Sequence, residues 1–80
     1  MKISAIKKAV EAHELEALEA AEVNMMDGEA PGIEVEGEDE GEQLTHILAA
    51  IFIRKTMAEN GCDVKTALRS YTQKVRQSIS

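Results

Sequence analysis

The sequence predicts an all-α protein: a small bundle of three to four helices, with a short extended segment near residues 33–36, completed by dimerisation. Apolar residues recur three and four positions apart along most of the chain, as on one face of an α-helix. The core material is aliphatic, because Phe52 and Tyr71 are the only residues of the Phe, Tyr and Trp class. A chain of 80 residues buries only roughly 60% of its unfolded surface. Such small cores usually need a disulfide, a metal or a second subunit.

The first part of the chain predicts two short helices. Ser4 is the expected N-cap of the first. Its apolar stripe and the next one point in directions that differ by roughly 100° on a straight helix. We therefore expect a break near His13–Glu14 and a second helix to about Met26, with one continuous helix as the alternative. The two stripes are Ile3, Ile6 and Val10, then Leu15, Leu18, Ala21 and Met25.

A turn and a short alternating segment follow. Asp27–Gly28 is expected to end the second helix, because glycine tolerates the left-handed cap conformation. Residues 33–36 then alternate apolar and charged, which is a strand pattern. Four residues make no sheet alone. We expect this segment to lie extended across the helices; pairing with its symmetry mate in a dimer is the alternative.

The third helix is expected to be the centre of the protein. It should begin after Gly37, with acidic residues in its first turn that suit the positive end of the helix dipole. It is apolar on two sides, and a helix of that kind is buried. A chain this short has too few helices to cover both sides, so the second face is expected to form a homodimer interface. The first face is Leu44, Ile47, Leu48, Ile51 and Phe52, and the expected interface is His46, Ala49, Ala50, Ile53 and Met57.

The last helix is expected to follow directly. Asn60–Gly61 should end the third helix, and Asp63 should cap the last one. Its two faces differ in character, which predicts one packed side and one basic side. The packed side is Val64, Leu68, Tyr71, Val75 and Ile79, and the basic side carries Lys65, Arg69 and Arg76 around Thr72.

The net charge of −6 is unevenly distributed. Residues 27–42 carry eight acids and no base, whereas residues 43–80 carry six bases and two acids. One expectation is that the acidic middle lies near the basic end, either within one subunit or between two. The alternative is that both charged regions are freely solvated. The acidic balance and the scarcity of aromatic residues argue against a nucleic-acid partner.

The longest apolar run and the single cysteine bear on location. The run, Ile47–Ile53, has seven residues, whereas a membrane span needs about 20. No membrane partner is therefore expected. One cysteine, Cys62, fits a reducing compartment. The sequence predicts a cytoplasmic protein.

Glu42 and His46 form the candidate metal site. They lie four residues apart and so share one helical face. A dimer would bring two such pairs together as four ligands, as helical bundles do for metals. The alternatives are a carboxylate–imidazole pair at an interface and an exposed histidine. No catalytic motif or cofactor signature accompanies the pair, so no cofactor is expected. A helical interaction protein is favoured, with a metal-binding regulator or a metal-dependent enzyme using Glu42 and His46 as the alternative.

The acidic run is the third candidate feature. As the binding segment of an adaptor for a basic protein partner, it would be exposed and mobile. Its members are Glu34, Glu36, Glu38, Asp39, Glu40 and Glu42.

Two stretches carry a resemblance to a known group of proteins. The first is IEVEGEDEGEQLTH, ending at His46 and followed by ILAAI, and the second is DVKTALRSY, ending at Tyr71. Together they resemble a small family of uncharacterised bacterial proteins of about this length. The resemblance implies a complete protein and brings no activity, cofactor or catalytic residue with it.

Overall fold

The described part of the chain contains four helices, in agreement with the predicted all-α bundle of three to four. The computed structural model describes the backbone of residues 2–79 and the side chains of residues 2–77. No strand occurs within that range. The helices are α1 (Ile3–Ala12), α2 (Leu15–Met26), α3 (Glu40–Asn60) and α4 (Val64–Ile79).

The break between α1 and α2 is confirmed, and a side chain of α3 bonds to it. His13 has extended backbone angles, with φ −133° and ψ 144°. Arg54 reaches this corner from α3: its Nη2 donates to the Val10 carbonyl at 2.6 Å and its Nε to the His13 carbonyl at 3.1 Å. Carbonyls at the end of a helix lack partners within that helix and carry partial negative charge. The guanidinium therefore stabilises the end of α1 and fixes the corner.

The expected cap at Ser4 is wrong. Lys2 occupies the N-cap position of α1 and makes no side-chain cap hydrogen bond. The Lys2 backbone N–H instead donates to the His46 ring on α3, at 3.1 Å. This hydrogen bond ties the start of α1 to α3 but does not satisfy the N–H groups that a capping side chain would accept from.

The ends of α2 and α3 and the start of α4 agree with the sequence, whereas α3 begins at Glu40, later than the expected start after Gly37. Gly28, with φ 83°, follows α2, and Gly61, with φ 63°, ends α3 in the left-handed conformation. Asp39 caps α3 by accepting from the Glu42 backbone N–H at 2.7 Å. Asp63 caps α4 by accepting from the Thr66 backbone N–H at 2.9 Å. Local capping chemistry therefore sets the limits of α3 and the start of α4.

The core is arranged around α3. Helices α1, α2 and α4 each pack on α3, and α1 also touches α4. Half-buried Ile33 and Val35, between α2 and α3 in the chain, pack against the same core. The side chain of Ile79 lies outside the described side chains. The largest fully buried side chains are Ile6, Val10, Leu18, His46, Ile47 and Ile53.

The residues expected at a dimer interface lie in this core. His46, Ala49, Ala50 and Ile53 are 0–2% exposed, and Met57 is half-buried against the same cluster. Three helices of one chain are enough to enclose them, so the expectation of a partner surface here loses its basis. Leu48 differs in the opposite sense: it was expected on the apolar face that packs in the core, and it is 45% exposed.

Asp63 offers a test of the cap of α4. The hydrogen bond from the Thr66 backbone N–H, with one from the Thr66 side chain, holds the pKa of Asp63 below its ordinary value of 3.8. A pKa lowered by folding gives a stabilisation that is present above the ordinary value and lost as the pH falls through the folded value. We expect the α4 amides to lose protection below about pH 4 more in the wild type than in Asp63→Asn, whose cap does not titrate. Amide exchange measured by NMR checks this, and equal losses in both proteins would refute it.

Candidate functional site

The acidic run lies on the surface, on a segment whose residues alternate in exposure. Glu34, Glu36 and Glu38 are exposed, whereas Val35 and Gly37 between them are half-buried. Asp39 and Glu40 are exposed as well, and Glu42 is half-buried. The carboxylates are therefore displayed to solvent while the apolar side chains of the same segment anchor it to the core.

Three successive carbonyls of this segment are held by side chains of the helices. The Glu34 carbonyl contacts His13 Nε2 at 3.0 Å. The Val35 carbonyl accepts from Gln43 Nε2 at 3.5 Å, and the Glu36 carbonyl lies 2.6 Å from His46 Nδ1. A loop whose backbone bonds only to water has no such attachment. We call His13, Gln43 and His46 the carbonyl clamp.

His46 is the buried member of the clamp, and its partners define its tautomer. The side chain is 0% exposed. Its Nε2 accepts from the Lys2 backbone N–H at 3.1 Å, and its Nδ1 faces the Glu36 carbonyl, which only accepts. In a neutral imidazole one nitrogen donates and the other accepts. The hydrogen-bond network therefore assigns the neutral Nδ1–H form, which joins α1, α3 and the acidic segment.

The candidate metal pair, Glu42 and His46, is not arranged as a site. Both nitrogens of His46 are already used by backbone groups. Glu42 Oε1 accepts from the Glu38 backbone N–H at 3.3 Å. Among the described residues, no group of three or more His, Cys, Asp or Glu side chains could hold a metal ion. The structure thus gives the metal hypothesis, and the carboxylate–imidazole pair, no support.

The acids of the run differ in how they are engaged. Glu36 pairs with Lys8 of α1 at 3.0 Å, with the Lys8 and Glu36 side chains 72% and 51% exposed. In the part of the chain that the structure describes, the side chains of Glu34, Glu38 and Glu40 form no hydrogen bond or ion pair.

The basic face of α4 does not neutralise the run. Lys65, Arg69 and Arg76 are exposed, and within the described side chains none of them pairs with an acid of residues 27–42. The acidic and basic surfaces of one chain are thus both open to other molecules.

Gly37 offers a test of how closely the acidic segment packs on α3. A Cβ at this position would lie 2.8 Å from the Gln43 backbone nitrogen and 2.7 Å from its Cγ. The backbone cannot give way cheaply, so we expect Gly37→Ala to lower the free energy of unfolding by about 1–3 kcal/mol. Gly41→Ala is the matched control, because its Cβ would meet nothing closer than 3.4 Å. Urea denaturation measures both, and equal stabilities would show that the segment is not packed this closely.

Sequence reasoning missed Gln43 and Arg54, and it did not predict that His13 and His46 contact carbonyls of the acidic segment. His13 was expected at a helix junction, and it lies there. Gln43 and Arg54 carry no local signal, since their carbonyl partners are 8 and 41–44 residues away in the chain. Only the three-dimensional path of the backbone reveals these contacts.

Comparisons with known proteins place the chain in a family without naming an activity. None of the described helices is both long and apolar enough to cross a lipid bilayer. No curated protein and no solved structure matches the chain. A family model does match, over residues 1–80. The chain therefore belongs to the family of unknown function DUF6952.

Proposed function

We propose that this protein is a small interaction module, or adaptor, that presents its acidic run to a basic protein partner. The observation that carries the proposal is the carbonyl clamp beneath exposed carboxylates: three consecutive carbonyls are held while Glu34, Glu38 and Glu40 point to solvent without partners among the described residues. An acidic surface with a fixed backbone loses less conformational entropy on binding than a flexible acidic tail.

The clamp also gives the run a geometry. We propose that residues 33–36 are extended, which is supported by the alternation of exposed and half-buried side chains. Side chains two residues apart on an extended chain lie roughly 7 Å apart. Glu34 and Glu36 then lie side by side, at a spacing that fits two neighbouring basic side chains. Complementary charge speeds association and makes it sensitive to salt.

Neutralisation of the run tests the proposal. The triple variant of Glu34, Glu38 and Glu40 to glutamine removes three charges that have no structural partner among the described residues. The matched control changes three other exposed acids, Glu16, Glu19 and Glu29, to glutamine. We expect native lysate to yield basic proteins that bind the wild type and the control, that dissociate with added salt, and that do not bind the triple variant. Equal capture by both variants would contradict the proposal.

A second candidate is self-association, which would make the module a homodimer. Leu44, Leu48 and Phe52 lie four residues apart and share one face of α3, where Leu48 is 45% exposed. We propose that a second copy covers this face. Sedimentation should then give twice the mass of one chain, and Leu48→Lys should halve it while Ala58→Lys, at an exposed position of the same helix, should not. A wild type that sediments as one chain at micromolar concentration would reject the dimer.

Location and domain organisation remain part of the proposal. We propose a cytoplasmic protein, supported by the single free cysteine, Cys62. We also propose one helical domain over residues 1–80, supported by the packing of α1, α2 and α4 on the common helix α3.

A further inference from the structure

A groove separates α1 from the acidic segment. It has a volume of about 290 Å³, and its lining residues are Ala5, Lys8, Ala9, Ala12, His13, Glu34, Val35 and Glu36. Ala5, Ala9 and Ala12 lie four and three positions apart on one face of α1 and bring only methyl groups to the floor of the groove. Lys8 and His13 also line the groove and contact the Glu36 carboxylate and the Glu34 carbonyl of the acidic segment.

The groove is apolar inside and charged at its edge. Ala5 and Ala9 are 1% and 4% exposed and cover the core below, and half-buried Val35 forms the opposite wall. The Glu34 and Glu36 carboxylates are exposed, and among the described side chains only Glu36 of these two has a cationic partner, Lys8. The edge therefore carries a net negative charge beside an apolar floor.

We infer that this groove holds one arginine side chain of the basic partner, which deepens the proposed function and rests on it. Its volume is at the low end for small-molecule pockets and suits a single side chain. Long cationic side chains lay their methylene stems on apolar surface and keep the charged head in water. The alanine floor takes the stem, and the guanidinium, which pairs with carboxylates through a planar fork, meets Glu34 beside the existing Lys8–Glu36 pair.

Filling the groove tests the inference without changing any charge. Ala12 lines the groove and is exposed, so Ala12→Leu places a larger apolar side chain there with little change in helix propensity. Ala20→Leu is the matched control, because Ala20 is an exposed alanine on α2 that does not line the groove. The probe is a Gly-Arg repeat peptide, added to the full chain at low salt and followed by amide chemical shifts.

The expected result is that shifts concentrate at Ala5, Ala9, Ala12 and Val35. Ala12→Leu should weaken binding by about fivefold, since it excludes roughly one methylene or more of buried stem, whereas Ala20→Leu should bind like the wild type. A peptide with citrulline, the neutral isostere of arginine, should not bind. Equal binding of the citrulline peptide would overturn the role of charge, and binding unaffected by Ala12→Leu would overturn the groove.

The failure of the inference is distinguishable from the failure of the proposed function. If Ala12→Leu has no effect but Glu34→Gln with Glu36→Gln weakens binding, the acidic surface stands and the groove does not hold the side chain. If none of these variants changes binding, both ideas fail. A lowered thermal midpoint in Ala12→Leu would indicate misfolding, and Ala12→Met, which fills the groove with a flexible side chain, would then have to weaken binding for the inference to stand.

Discussion

Ala50→Glu is expected to unfold the protein rather than to separate two subunits. Ala50 lies on α3 and is 0% exposed within a single chain, because other helices of the same chain pack on α3. A carboxylate there has no room and no partner. Burial of an unpaired charge costs several kcal/mol, and overpacking adds about 1–3 kcal/mol. Small domains have total stabilities near the low end of about 5–15 kcal/mol, so the variant should lose its helical circular dichroism at room temperature.

Ala58→Glu is the control for that experiment. It places the same charge on the same helix at an exposed position, and we expect a fold and stability close to those of the wild type. A folded Ala50→Glu protein with half the sedimenting mass of the wild type would contradict the structure, because it would mean that Ala50 faces a partner.

His46→Leu is expected to have the second largest effect. It leaves the Lys2 N–H and the Glu36 carbonyl without the partners that His46 now supplies at 3.1 and 2.6 Å. Lys2 and Glu36 are exposed residues, so each lost hydrogen bond should cost its net contribution of about 0.5–1.5 kcal/mol. We expect a loss of about 1–3 kcal/mol in the free energy of unfolding, measured by urea denaturation.

The pattern of amide exchange should identify the cause of that loss. Residues at the start of α1 and residues 33–37 should exchange faster than the rest of the protein, because His46 joins these two parts to α3. His13→Leu is the matched comparison: its ring contacts only the Glu34 carbonyl at an exposed site, so the loss should be smaller. If both variants lose the same stability, His46 is not the central member of the clamp.

The helix limits were predictable because the chain encodes them locally. Gly28 and Gly61 adopt the left-handed angles that end helices, and Asp63 accepts the capping hydrogen bond expected of it. Asp39 also caps a helix, although the sequence placed it in the first turn of α3. The phase change of the apolar stripes likewise predicted the break at His13–Glu14, which the structure contains. Each of these signals depends on neighbours within a few residues.

The covering of α3 was not predictable by the same reasoning. The two-sided apolar pattern correctly indicated a buried helix. The expectation that one chain has too few helices to cover both of its sides was wrong. Three helices pack on α3, and half-buried Ile33 and Val35 pack against the same core. The small Ala49 and Ala50 are fully enclosed by the chain itself. Periodicity shows which faces are apolar and not which neighbour covers them.

In the candidate site, too, the local features were predictable and the long-range contacts were not. The acidic run was visible in the sequence, and its exposure agrees with an adaptor surface. The pairing of Glu42 with His46 was inferred from helical spacing, whereas His46 bonds to backbone groups 44 and 10 residues away. The segment was expected to be mobile because the sequence does not reveal the carbonyl clamp. The clamp depends on where the segment crosses α1 and α3.

Backbone ¹⁵N relaxation of residues 34–36 tests the central claim most directly. The account holds that the acidic run is displayed on a backbone fixed by His13, Gln43 and His46. It predicts order parameters near those of the helices, about 0.85. Values below about 0.6 at these three amides, with rigid helices around them, would show a flexible acidic loop and contradict it.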